Sequence, residues 1–297
     1  MRARAVHGLS SFPDRDDGRV DSAIVGSADA WERANEAARV AGVTLRPLTT
    51  LEDADRILSV MIATWGEHQL LPREMIRALG DSGNEPYGAF EGDALIGYVL
   101  GWAGVDPVDG LHVHSHMLAT LPDRRGGGVG YALKLAQRAL CLDRGIALVR
   151  WTFDPLLSRN AYFNIVKLGA LADRFLPNFY GEMTDALNRG ERSDRLMVRW
   201  DLEEAKPGPA TEAGSEVLGR EGDDPARPTP SEVRAPAGGP ALIRIPRDYH
   251  AIRDRDRALA DRWREAAAQA FAVCFDAGLA VTGFTMNSTY VLSKGRT

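Results

Sequence analysis

The sequence predicts an α/β fold of the α+β kind: a mixed, mostly antiparallel central sheet with helices on both faces, plus a C-terminal strand-helix-strand extension. Three observations predict it. Short apolar runs separated by Gly-Asp and Asp-Gly turns alternate with segments of helical period over residues 43–202. One of these runs, HVHSHMLATLPDRRGGGVG (residues 112–130), passes from a strand through a glycine-rich turn into a helix start. The composition, 44% hydrophobic and 26% charged over 297 residues, supplies enough apolar material for a core.

The elements follow in order. Residues 1 to about 20 are polar without a period and read as a loose arm, whereas residues 28–41 carry apolar side chains at helical spacing. Residues 43–48 read as a strand. Thr49 and Thr50 can cap the next helix, whose first-turn carboxylates suit the positive helix end. A short helix opens at Leu71-Pro72-Arg73-Glu74 and ends near Gly80. Two strands follow, PYGAFEG and ALIGYVLGWAG, turned by Gly92-Asp93. After Asp109-Gly110 comes the histidine strand, then a helix over 129–143 with apolar Val129, Leu133, Ala136 and Leu140, ended by Gly145. Residues 147–153 form a strand stopped at Asp154-Pro155. Residues 158–167 form a short helix ended by Gly169, and ADRFLPNFYG and LMVRWDL read as further strands.

From 204 to 240 the chain is dense in Pro, Gly, Ala, Ser and Glu, and composition assigns a disordered linker. Order is expected to return with a strand at 241–246, an amphipathic helix near 255–277 and one or two strands in AVTGFTMNSTYVLSK. The expected organisation is an arm and helix (1–42), a main domain (43–203), the linker (204–240) and an appendage (241–297) packing on the main domain.

A net charge of −5 gives no basic surface for nucleic acid. Cys141 and Cys274 sit in helix-like runs outside any CxxC spacing and read as packed small hydrophobes, which fits a reducing cytoplasm. No apolar run suggests a signal peptide or a membrane span. The expected location is cytoplasmic, without membrane partners.

The glycine turn excludes two familiar phosphate loops. A Walker loop ends Gly-Lys-Ser/Thr, but here the sequence is Gly130-Tyr131-Ala132; a dinucleotide GxGxxG would need glycine at Tyr131. What fits is Arg-x-x-Gly-x-Gly on Arg125, Gly128 and Gly130. Glycine lets backbone approach an anion, and the free amides of the first helical turn can hold a pyrophosphate. A plain glycine turn before a helix is the competing reading.

The stretch Leu118-Ala119-Thr120-Leu121-Pro122-Asp123-Arg124-Arg125-Gly126-Gly127-Gly128-Val129-Gly130 resembles the acetyl-CoA signature of the GNAT N-acetyltransferase superfamily, and the element order matches that fold over about 43–202. HSHMLATLPDRRGGGVGYALKLAQR, RWTFDPLLSRNAYFNIVKLGA and the C-terminal IPRDYHAIRDRDRALADRWREAAAQAF further resemble a poorly characterised bacterial GNAT subgroup. The resemblance implies acetyl-CoA as co-substrate, with its pyrophosphate on the amides of Arg125, Gly126, Gly127, Gly128, Val129, Gly130 and Tyr131. It implies that Leu118, Ala119 and Thr120 align the pantetheine arm, that the strand 147–153 splays away to make a V-shaped slot, and that the helix with Ser158 and Asn160 flanks the cofactor.

On a strand, residues two apart share a face, so His112, His114 and His116 line up with Val113, Ser115 and Met117 opposite. Attack of an amine on a thioester needs a base, and imidazole titrates near neutrality. His114 falls where many GNAT enzymes carry a glutamate base, and His114 with His116 resembles the histidine pair of arylalkylamine N-acetyltransferases. Two other readings stand beside this one: imidazoles hydrogen-bonded under the sheet, and an HxH metal site that lacks a third ligand. The family's usual tyrosine acid corresponds to Ile165 here, which leaves Tyr162 and Tyr180 as candidates, with Tyr180 in the LPNFYG segment preferred. Trp65, Trp102 and Phe179 could wall the acceptor pocket, near Trp65-Gly66-Glu67-His68. Asp194 and Arg195 either pair with each other at the surface or read a charged substrate. The expected activity is acetyl transfer from acetyl-CoA to an unidentified small-molecule or peptide amine by direct attack in a ternary complex. A non-catalytic CoA-binding module and transfer of a larger acyl group are the alternatives. A homodimer is compatible with these expectations, and no metal is expected.

Overall fold

The computed structural model describes residues 19–67, 70–182 and 190–295. Helix α1 (Arg19–Ala41) leads into strand β1 (Thr44–Pro47). The arm expected before it lies outside the described residues, except for 19 and 20, which begin α1. Helix α2 (Leu51–Trp65) starts on a capping box: Thr50 Oγ1 accepts the Asp53 amide, and the Asp53 carboxylate accepts the Thr50 amide. Asp53 is buried, and Arg46 of β1 pairs with it at 2.8 Å. Burial pushes its pKa up, but the hydrogen bonds from Arg46, Thr50 and Thr49 outweigh that and hold the carboxyl well below its usual range.

Helix α3 (Arg73–Asp81), strands β2 (Tyr87–Glu91), β3 (Ala94–Asp106) and β4 (Gly110–Thr120), helix α4 (Val129–Asp143) and strand β5 (Leu148–Phe153) follow. Helix α5 (Ser158–Ala161) runs on into a π-helical turn, Tyr162–Lys167, and then come β6 (Leu171–Leu176) and β7 (Arg195–Asp201). These strands lie in the order β1-β2-β3-β4-β5-β7-β6, antiparallel except between β4 and β5. Helices α2 and α3 bury Ile57, Met61 and Ile76 against Tyr98 and Leu100 on one face. Helices α1 and α4 bury Ala38, Ala132 and Leu133 against Val99 on the other. The mixed, largely antiparallel architecture agrees with the fold class expected from sequence.

The sheet continues through the C-terminal part: β8 (Ser215–Leu218), the two-residue β9 (Arg220–Glu221) and β10 (Thr229–Pro230), β11 (Ala241–Arg244), α6 (Tyr249–Arg255), α7 (Arg257–Asp276), β12 (Leu279–Phe284) and β13 (Thr289–Lys294). Strand β12 joins the edge of β6, and the eleven-stranded sheet ends in the order β12-β13-β11-β8. Asp256 caps α7 by accepting the Leu259 amide; α7 is the helix expected near 255–277, and α6 is a further short helix before it.

One expectation is overturned here. Residues 204–240 are not a disordered linker: β8 pairs in parallel with β11, and Val217 and Leu218 are fully buried. Trp263 donates to the Pro228 carbonyl at 2.8 Å, and Arg244 pairs with Glu216 at 2.7 Å. Composition averages over the segment and conceals two apolar residues that find a prepared surface on α7 and β11. Among the described residues, no helix is long and apolar enough to cross a membrane.

Candidate functional site

The site begins where two strands part. Parallel pairing between β4 and β5 is confined to Val113–Val149 and His114–Arg150. Beyond these positions, residues 115–120 and 151–153 run on without pairing to each other, leaving a wedge between two strand edges. Such edges carry unpaired amides and carbonyls that an extended ligand can complete.

At the far end of β4 the chain turns through a 3₁₀ turn, Pro122–Arg124, into the glycine loop. Gly126 and Gly128 both adopt φ of 91°, and Gly128 is the N-cap of α4, with no side chain capping the helix. The amides of residues 126–130 have no acceptor among the described residues. With the helix dipole behind them they form an anion cradle. Arg124 is committed to Glu91 and Asp123, each at 2.8 Å. Arg125 makes no ion pair among the described residues and is exposed. Sequence reasoning missed Arg159 of α5, whose guanidinium lies over the loop: a Cβ built on Gly126 would meet its Nη2 at 3.4 Å. Asn160 is exposed beside it. A groove of about 1810 Å³ opens from Gly128 and Tyr131 between α1 and the Lys167-Leu168-Gly169 turn.

The histidines lie on the α2 side of β4. His114 and His116 surround Trp102, with ring centroids 5.2 and 4.8 Å from it and 5.8 Å from each other. Their alignment is not simple alternation. Leu100 pairs with Met117 and Gly101 with Ser115, so His116 is the extra residue of a β-bulge. Met117 therefore joins the His114 face instead of opposing it, and only Val113 and Ser115 remain on the α4 face. Burial, followed by His116, His112 and Lys134, lowers the His114 pKa to about 4; burial also lowers that of His116. Both rings are thus neutral at physiological pH, as a base requires. His112 is buried, packs its ring on Gly104 and bonds the Gly110 carbonyl through Nδ1 at 3.0 Å, a structural setting.

Tyr180 is 43% exposed, and its hydroxyl is 3.1 Å from Thr152 Oγ1, on the histidine side of β5. Phe179 stacks edge-on against it at 4.7 Å. Tyr162 packs against the main core, and Ile165 is buried there. Trp65 packs against the α2 core, while His68 lies outside the described residues. Asp194 does not pair with Arg195 side chain to side chain: it is buried, binds Arg192 at 2.9 Å and accepts the Asn178 amide. Among the described residues, no group of three His, Cys, Asp or Glu side chains could hold a metal.

Lys134 of α4 is also missing from the sequence-level site. It is fully buried, and burial lowers its pKa to about 7. Its folded-state value lies below the unfolded one, so the unfolded chain binds the extra proton between pH 7 and roughly 10.4. Stability is therefore expected to rise with pH across that window, and Lys134→Met is expected to flatten the rise in thermal unfolding followed by circular dichroism.

Residues 51–162 match the model of the acetyltransferase (GNAT) family. Through that segment the chain is similar to the GNAT acetyltransferases, and its mixed, largely antiparallel architecture matches their fold. Among solved structures it is similar to the ribosomal-protein-S18-alanine N-acetyltransferase of Escherichia coli, at 14% identity over 55% of this chain and 96% of that one, TM-score 0.44. It is similar also to Naa20 of Chaetomium thermophilum, at 18% identity over 54% and 86%, TM-score 0.44. The loading GNATL domain of CurA from Lyngbya majuscula matches at 16% identity over 54% and 98%, TM-score 0.43. No curated protein matches the sequence.

Proposed function

We propose that this protein transfers an acetyl group from acetyl-CoA to an amine by direct attack within a ternary complex. The observation that carries the reading is the juxtaposition of an anion cradle, a strand wedge and a pair of neutral imidazoles on one strand. The cradle fits a pyrophosphate: it has two positive-φ glycines and, among the described residues, five amides without an acceptor and the Arg125 and Arg159 guanidinium groups without carboxylate partners. The groove beyond Gly128 gives room for a nucleotide. Residues 118–120 offer their edge to the pantetheine arm, which presents an activated acyl thioester.

In this reading the acceptor enters on the α2 side, between Trp102, Phe179 and Tyr180. His114 or His116 takes the proton that the amine nitrogen loses on attack, directly or through water. Tyr180 borders the same space through its bond to Thr152.

Arg125→Ala and Arg159→Ala are each expected to weaken CoA about tenfold, with a reduced salt dependence, in calorimetric titrations. Gly128→Ala is expected to cost about 1–2 kcal/mol of stability, because φ of 91° disfavours an L side chain, and to weaken CoA further by displacing the cradle amides. Acetyl-CoA offered with a panel of arylalkylamines, amino acids and peptides should release free CoA thiol. CoA binding without thiol release on any amine would replace the enzyme with a CoA-binding module, the reading favoured by Ile165 at the usual tyrosine position. Protein that binds no CoA at micromolar concentration overturns both.

A further inference from the structure

Among the described residues Lys134 has no counter-ion, in a place where a leucine or methionine would pack more cheaply. It reaches from α4 to the first residue past the pairing on each strand: Nζ donates to Ser115 Oγ at 3.0 Å and lies 3.7 Å above the Trp151 ring. Its other partner is the Gln137 side-chain oxygen at 2.8 Å, and no carboxylate among the described residues pairs with it. The neighbouring titratable groups are Cys141 on its own helix and, through β4, His114. Trp151 is held in turn by Asn164 of the π-helical turn, through its indole nitrogen at 3.3 Å. Lys134 thus closes the apex of the wedge on the α4 side, while the histidines line the opposite face.

This division suits acyl transfer, which needs a proton removed from nitrogen and another supplied to sulfur. We propose that Ser115, recharged by Lys134, is the proton donor to the departing CoA thiolate. The assignment rests on the acyl-CoA reading given above. As the new N–C bond forms and the C–S bond breaks, the imidazole on the α2 side accepts the amine proton. The Ser115 hydroxyl gives its proton to sulfur and takes one from the Lys134 ammonium, leaving CoA thiol and a neutral lysine amine. Solvent returns the protons after product release. Ser115 is the catalytic residue here and Lys134 the positioning and recharging one. A cation at the apex also favours thiolate over thiol before any acceptor arrives.

That last consequence gives a test that needs no turnover. The thiol of CoA bound to the full-length protein is titrated by thiolate ultraviolet absorbance, with the desulfo-CoA complex as blank. In Lys134→Met the bound thiol is expected to titrate about one unit or more higher than in wild type. CoA affinity should be unchanged, and melting temperature at neutral pH should rise because a buried unpaired charge has gone. Ser115→Ala, and Lys134→Met alike, are expected to lower kcat about 10²-fold without raising KM for acetyl-CoA. An unchanged bound-thiol titration in Lys134→Met overturns the proposal, as does full kcat in Ser115→Ala, or a thiol shift seen in Tyr180→Phe instead. Wild-type protein that binds CoA but acylates no amine overturns the transfer reading alone, because the thiol titration is made without acceptor.

Discussion

Replacing His114 and His116 together by alanine is expected to lower kcat by about 10²–10⁴-fold while leaving the affinity for CoA within a factor of two or so of wild type. The two effects separate because the imidazoles stand in the middle of β4 on its α2 side, whereas the glycine cradle lies past the end of the strand, at the start of α4. Single replacements should cost less, since each ring is 5.8 Å from the other and both touch Trp102. The acid limb of the wild-type rate profile should lie below the ordinary imidazole range, because burial holds the His114 pKa near 4. The same depression destabilises the fold as pH falls from about 6.5, where the unfolded histidine protonates, towards 4, where the folded one does. The double alanine variant should lose that acid sensitivity in thermal unfolding. A double variant with full turnover would remove both histidines from the chemistry.

Arg264→Met is expected to cost about 3–5 kcal/mol in urea unfolding and to raise KM for acetyl-CoA. Arg264, on α7, is 5% exposed and grips Asp154 with two bonds of 2.8 and 2.9 Å and Glu191 with one of 2.8 Å. Removing the guanidinium takes the closest cation from two buried carboxylates and leaves them weaker partners, Arg195 at 3.8 Å from Asp154 and Arg253 at 3.9 Å from Glu191, which makes the loss expensive. Asp154→Asn combined with Arg264→Met should therefore recover part of the loss. The effect on KM follows from position. Asp154 begins the connection from β5 to α5. The same connection receives the Tyr290 hydroxyl on the Pro155 carbonyl at 2.7 Å and the Ser288 hydroxyl on Ser158 at 2.7 Å. Arg159, beside the cradle, is the next residue. A stable variant with unaltered KM would show that the C-terminal part does not govern cofactor binding.

Much of the main domain is legible in the sequence because its signals are local. Thr50 with Asp53, the Gly92-Asp93 turn and the glycines before α4 each state a backbone conformation within a few residues. The rest depends on contacts distant along the chain. The bulge at His116 has no glycine or proline to announce it; it arises from register against β3. Lys134 looks like an ordinary helix surface residue until Ser115 and Trp151 are seen to meet it. Arg159 becomes part of the cradle only because α5 returns beside Gly126. Val217 and Leu218 are too few to mark a strand by composition, yet they are buried once β11 stands next to them.

The meeting of β6 and β12 has a practical consequence. The segment that carries the family match stops at Tyr162, which invites excision of the acetyltransferase part as a free-standing module. The cut would bare the edge of β6, where Val281 faces Ala172, and unstack Phe175 from Phe271, whose rings lie 5.9 Å apart. An unprotected apolar strand edge is a template for pairing with other chains. A fragment ending near residue 203 is thus expected to aggregate, so the catalytic and C-terminal parts are inseparable in practice: the tail serves as the sheet's own sealing strip, and the edge it occupies is closed to a second copy of the chain.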